Sequence, residues 1–156
     1  EPNDVQNALD DLLRPLNGEE GFSPYKLQEE LQEIMEQNVG IVRTEEGLQN
    51  GIDELNALSK KLTNLRTTGS RKYNPGWHLC LDLHNMVIAS KAVASAALER
   101  TESRGAHTRL DYPNYDDVFE TLNIIIRKSP DSMSVVRAPL TKMPSDLSDF
   151  VQKEAV

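Results

Sequence analysis

Cysteine is almost missing from this chain: Cys80 is the single one in 156 residues, so no internal disulfide can form and a reducing, cytoplasmic setting is the expectation. Aromatic residues are scarce at 5%, which points to a helix-rich core of Leu, Ile, Val and Ala. No apolar run reaches the ~18 residues of a spanning helix, and there is neither a basic-then-apolar leader nor an Asn-x-Ser/Thr acceptor. Direct membrane insertion and export therefore find no support. Also lacking are Gly-x-Gly-x-x-Gly and any Gly-Lys-Ser/Thr loop, so the chain offers neither of the common phosphate cradles of dinucleotide and nucleotide enzymes. A basic excess is missing too. The net charge is -8, which argues against general nucleic-acid binding.

What is present is acid, unevenly spread. Residues 1–56 carry 14 acids against 3 bases, residues 57–109 carry 3 acids against 9 bases, and the remainder is net -3. Such complementary parts suit an acidic helix packed beside a basic one. The length allows about one domain with one core. Glu1 rather than Met at the start suggests a piece of a longer chain or a processed terminus.

Helical spacing recurs four times. Residues 3–16 place Val5, Leu9, Leu12, Leu13 and Leu16 on one side, with Asn3 as cap and Gly18 as stop. Ser23-Pro24 opens a second helix with Leu27, Leu31, Ile34 and Met35 inward, ending at Gly40. Thr44 with Glu45 and Glu46 caps a third, striped by Leu48, Ile52, Leu55, Leu58 (or Ser59), Leu62 and Leu65. Asn74-Pro75-Gly76 starts the fourth, from Trp77 to about Arg100, apolar nearly all round and so expected at the buried centre, with Trp77 in the core. Beyond Pro113 the β-branched run Leu122–Arg127, the turn Lys128–Ser132 and the segment Met133–Leu140 predict a β-hairpin, while 145–156 reads as a loose helix or disorder. The expected fold is mainly α: a three-helix, spectrin-repeat-like bundle with an extra N-terminal helix and a C-terminal β-hairpin. Its helical domain is placed at 1–117 with a core of 24–104, and 118–156 is the hairpin and tail attached to it.

Chemistry-bearing residues are few. Cys80 and His84, or His78 and Asp82, sit one turn apart, but two ligands are not a metal site. Ser103 and His107 invite a nucleophile and base reading, with no third group to orient the imidazole. The crowded segment Glu102-Ser103-Arg104-Gly105-Ala106-His107-Thr108-Arg109-Leu110-Asp111-Tyr112-Pro113 reads instead as a rigid corner. There Arg104 and His107 would donate to the last helix carbonyls, and Asp111 would pair with Arg104 or Arg109. Arg43, alone in the apolar link Gly40–Thr44, is either paired with nearby acids or aimed at a neighbouring domain.

Three stretches carry a resemblance: Met35 to Gly47, Leu83 to Leu98 with Asn85-Met86, and the 102–113 corner with Glu-Ser-Arg-Gly-x-His and Asp-Tyr-Pro. In order and spacing they resemble the C-terminal helical domain of the succinate dehydrogenase/fumarate reductase flavoprotein family. L-aspartate oxidase is similar in the same stretches and is the related alternative; a free-standing helical interaction module is the reading from another class. One departure is that Asp116-Asp117-Val118-Phe119-Glu120 has Phe119 where many members resemble Asp-Asp-x-x-Trp.

The resemblance implies a parent that interconverts succinate and fumarate at FAD, passes electrons to iron–sulfur centres and quinone, and lies at the inner face of the membrane through partner subunits. Family catalytic and FAD contacts lie upstream, so none carries over, and this fragment is expected to hold no cofactor or metal and to be inactive alone. What carries over is placement: Arg43, Asn85, Ser103, Arg104, His107, Arg109, Asp111 and Tyr112 match the family pattern and would fix the bundle against the FAD-binding domain of the same parent chain or an iron–sulfur subunit.

Overall fold

The structure, a computed structural model, describes residues 2–17, 19–129, 132–144 and 147. Four helices precede the hairpin: α1 (Pro2–Asn17), α2 (Pro24–Val39), α3 (Glu45–Lys61) and α4 (Pro75–Glu99). Three short elements follow or intervene, β1 (Val42–Arg43), β2 (Thr108–Arg109) and α5 (Asp117–Glu120), and the hairpin is β3 (Leu122–Lys128) with β4 (Met133–Pro139).

Local chemistry starts each long helix. The Thr44 hydroxyl accepts from the Gly47 amide at 3.1 Å, and Asn74 Oδ1 accepts from Trp77 at 3.0 Å with Pro75 in the first turn, so both caps satisfy a donor that the helix leaves orphaned. Ser23 holds the cap position of α2 but makes no side-chain cap bond; Pro24 fixes the entry there. Helix α1 begins at Pro2, so Asn3 lies inside it rather than capping it. The predicted stop Gly18 and the tail, apart from Leu147, lie outside the described residues.

Helices α2, α3 and α4 share one apolar interior. Leu27, Leu31 and Ile34 meet Leu48, Leu55 and Leu58 across from Cys80, Leu83, Val87 and Ala94. Leu48, Leu55, Leu58 and Leu83 are fully buried, each gaining about 1.5–3 kcal/mol of transfer free energy. The helices approach closely where Gly51 faces Asn38 and Val39: a Cβ there would lie 2.9 Å from Asn38 Cβ. The expected acid–base contact between helices is met by Lys61 and Glu30, 2.5 Å apart on the surface.

Two expectations about burial need correction. Helix α4 is not covered all round: Ile88 and Val93 are 55% and 48% exposed, because the bundle covers one face and the hairpin only part of another. Trp77 is half-buried rather than core; its indole N–H donates to the Leu12 carbonyl at 2.7 Å and ties α1 to the start of α4. The stripe of α1 stays largely open, with Val5, Leu9 and Leu12 exposed. In the hairpin all seven residues of β3 pair antiparallel with β4, from Leu122 opposite Pro139 to Lys128 opposite Met133. Arg137 bridges to Glu99 at 2.6 Å, and Phe119 is buried beneath the guanidinium groups of Arg100 and Arg137.

Candidate functional site

Because α2, α3 and α4 run alternately up and down, the C-termini of α2 and α4 and the N-terminus of α3 meet at one end of the bundle. Two helix ends there present unpaired carbonyls and partial negative charge; the third presents unpaired amides and partial positive charge. The 102–113 corner answers each of them.

Arg43 closes α2. Its Nε donates to the carbonyls of Val39 and Gly40, at 3.2 and 2.6 Å, and Nη1 lies 2.6 Å from His107 Nδ1. Arg109 closes α4: Nη1 donates to the carbonyls of Ala97, Leu98 and Arg100 at 3.2–3.3 Å. The rest of that guanidinium grips Asp111 in a two-point fork, Nε to Oδ1 at 2.8 Å and Nη2 to Oδ2 at 2.7 Å. Asp111 Oδ2 also accepts from the Glu45 amide at 2.8 Å, which puts a carboxylate on the positive end of α3. One ion pair thus joins a helix C-terminus to a helix N-terminus, each charge on the dipole end that favours it. Arg109 is fully buried and uses all its polar side-chain atoms in doing so.

Backbone pairing reinforces the joint. Strand β1 runs parallel to β2, with Val42 opposite Thr108 and Arg43 opposite Arg109; the Leu110 amide donates to the Arg43 carbonyl at 2.9 Å. The Ser103 hydroxyl accepts from the Arg109 amide and donates to the Tyr112 carbonyl, both at 2.8 Å. Gly105 stands at φ +58° in the turn where Arg104 and His107 exchange backbone hydrogen bonds. That left-handed geometry is the reason for glycine there. Helix α4 has already stopped at Glu99, close to the expected end at about Arg100.

The electrostatics follow from the contacts. Bonds from Arg109 hold Asp111 well below the usual carboxylate range, and Asp111 in turn raises Arg109. His107 is pushed down by burial and by the charges of Arg43, Arg109 and Arg100, which favours a neutral ring. Its Nε2 then donates to the Arg100 carbonyl at 3.0 Å, while Nδ1 accepts from Arg43. Ser103 and His107 spend their polar atoms on other partners and do not bond each other. Cys80 is buried, and its thiol is pushed up to about 11.

Arg104 does not reach the helix carbonyls. It meets Glu102 in a fork, Nε to Oε1 at 2.9 Å and Nη2 to Oε2 at 3.0 Å, and lies over the Tyr115 ring. Glu102 is the residue that sequence reasoning left off the site. It is fully buried, also bonded by Arg100 and by the Asp116 amide, and its pKa is lowered chiefly by Arg104. A signal existed: a lone acid between Arg100 and Arg104, in a region otherwise short of acids.

Seven of the eight predicted residues converge at this end. Asn85 does not; it is exposed on α4, 14 residues before Glu99, or about 21 Å along the helix. Outside the corner runs a cleft of about 670 Å³ bounded by Asp111, Tyr112, Tyr115 and Val118. Leu110, Tyr115 and Val118 are exposed by 64%, 70% and 55%. Among the described residues no three His, Cys, Asp or Glu side chains form a metal-binding group, and no helix is long and apolar enough to cross a membrane.

The chain matches the family described as fumarate reductase flavoprotein C-term over residues 28–147. It is 34% identical over 117 residues to the succinate dehydrogenase flavoprotein subunit of Coxiella burnetii, covering 74% of this chain and 20% of that protein. It is 31% identical over 109 residues to the fumarate reductase flavoprotein subunit of Haemophilus influenzae, covering 69% and 18%. Mycobacterium smegmatis Sdh1, solved in complex with UQ1, superposes with a TM-score of 0.87 at 37% identity, over 99% of this chain and 27% of that one. The chain thus spans about a fifth to a quarter of the relatives it matches. With the helical bundle, the hairpin and the family match over residues 28–147, the chain belongs to the C-terminal domain family of fumarate reductase and succinate dehydrogenase flavoproteins.

Proposed function

We propose that this chain serves as the C-terminal domain of the FAD-containing flavoprotein subunit of a succinate dehydrogenase or fumarate reductase, in which succinate–fumarate interconversion and electron transfer to iron–sulfur centres and quinone are carried by other parts. The observation that carries this reading is the likeness to Sdh1 along nearly the whole chain, corner included. The parent would be cytoplasmic and held at the inner face of the membrane by partner subunits.

The described residues do not fit the flavin. Their parallel pairing is limited to β1 with β2, two residues long, and an isolated Phe22–Leu65 bridge, and no glycine-rich strand–helix turn is present to receive a pyrophosphate. FAD belongs to the rest of the parent, and no step of hydride transfer is assigned to this chain.

The role proposed for the corner is docking against the parent's FAD-binding domain, with the iron–sulfur subunit as the other candidate partner. Arg43, Ser103, His107, Arg109 and Asp111 are positioning residues that hold the corner's shape, and Arg104 links it to Tyr115. Tyr112, with Leu110, Tyr115 and Val118, would make the contact. Exposed aromatics on a rigid frame suit an interface because little ordering entropy is lost on binding. Asn85 would be a separate contact on α4.

The test purifies the native protein that carries this sequence. Flavin absorbance and succinate–dye reductase activity are expected, and Arg104→Ala should lower assembly or turnover with KM for succinate nearly unchanged. Absence of both flavin and activity overturns the reading in favour of a free interaction module. Oxidation of L-aspartate in place of succinate moves the parent to the aspartate oxidases. An Arg104→Ala effect confined to KM would mean direct substrate contact instead of docking.

A further inference from the structure

A second surface lies between the Ile126–Lys128 end of β3, the Met133 end of β4 and the middle of α3 and α4. Ile52 of α3, Ile88 and Ala92 of α4, Ile126 of β3 and Met133 of β4 floor a cleft of about 690 Å³. Lys91, Arg127 and Lys128 stand around it, and among the described residues no Asp or Glu lines it. In a chain with 25 acids against 17 Lys and Arg, that is a local reversal of charge. None of the three cations forms an ion pair with a described residue. Lys91 is half-buried, so its ammonium has lost hydration with no carboxylate to offset the loss, and burial lowers its pKa.

We infer that this cleft docks a short acidic amphipathic helix of a partner protein, whose apolar stripe covers Ile88, Ile126 and Met133 and whose carboxylate pairs with Lys91. Shape favours a helix over a small molecule. Pockets for small ligands enclose roughly 70–90% of their occupant. This cleft is open along one side and leaves Ile88 55% exposed, so its occupant has a body outside it. Ile88, Lys91, Ala92 and Ser95 follow at i, i+3, i+4 and i+7, the ridge that a second helix packs beside. Charge sets the sign of the partner: three cations attract an acidic segment and repel a basic one.

The experiment selects displayed helical peptides of about three turns against the native protein that carries this sequence, with its Ile88→Glu variant as counter-selection. Enriched peptides should carry Asp or Glu beside apolar residues at helical spacing. One such peptide, synthesised, should bind about ten-fold tighter than its Gln-for-Glu version and lose about ten-fold in affinity to Lys91→Gln. Arg127→Gln, at an exposed strand position, should weaken it in the same direction and guards against a folding defect at Lys91. Enrichment of neutral or basic peptides, none over Ile88→Glu, or equal affinity for the Gln version would overturn the inference. Self-association of the unmixed chain that Ile88→Glu abolishes would also overturn it, assigning the cleft to a second copy.

Discussion

Replacing Arg109 by Met keeps most of the side-chain volume and removes the charge that closes α4. Five hydrogen bonds go: two to Asp111 and three to the carbonyls of Ala97, Leu98 and Arg100. Summing them at ~1.5–3 kcal/mol each would overshoot, because water can replace some. The Asp111 side chain is 29% exposed and keeps the Glu45 amide, so its charge stays partly solvated; the Ala97 carbonyl is the buried one and is left without this partner. Breaking one side of a buried ion pair costs about 3–5 kcal/mol, and the lower half of that range suits this half-wet carboxylate. For a chain of this size about 3 kcal/mol lowers Tm by roughly 6–12 °C. Arg109→Lys should recover little, since a single ammonium cannot span Asp111 and the helix end together. The assay is urea unfolding of Arg109→Met, Asp111→Asn and the double variant. A large coupling between the two substitutions is expected. A loss below about 1 kcal/mol for Arg109→Met, or additive effects, would refute the view that one ion pair joins the two helix ends.

Acid should weaken the corner in two steps. His107 is held neutral by burial and three arginines, whereas the unfolded chain binds a proton near pH ~6.5, so stability falls as pH drops below that value; His107→Asn should remove the step. Asp111 and Glu102 stay charged in the fold at a pH where unfolded carboxylates protonate, so their contribution is complete above about pH 5 and is lost as pH falls through their lowered values. Unfolding free energy that is flat from about pH 7 to 3 would contradict both. Gly51→Ala should destabilise by about 1–2 kcal/mol despite the better helix former, because the added methyl meets Asn38 and Val39; stabilisation in a thermal melt would show that α2 and α3 can separate there.

The three long helices were legible because their cause is local. Thr44 and Asn74 are capping residues, and the leucines recur at helical spacing over many turns. The exposure of Ile88 and Val93 was not legible, since an all-apolar helix reads as buried whatever the rest of the chain supplies to cover it. In the corner the sequence marked the segment, the pairing of Asp111 and the His107 bond to the helix end, but misassigned one donor, Arg104. Arg104 and Arg109 look alike in the sequence; only folding shows that Arg109 points at the end of α4 and Arg104 at Glu102. The β1–β2 pairing was equally hidden: two residues make no pattern, and their partners lie 66 residues away. Hydrophobic spacing cannot report on which helix ends converge, and that convergence is what makes the corner.

Amide hydrogen exchange tests most directly whether the corner is a built part of the bundle. The amides of Thr108, Arg109 and Leu110 are bonded to the Ile41 carbonyl, the Ser103 hydroxyl and the Arg43 carbonyl. They should exchange only with global unfolding, as slowly as those of Leu83 and Val87 in the middle of α4. Exchange at the rate of an exposed loop, while α4 stays protected, would mean that the three helix ends are held without the corner.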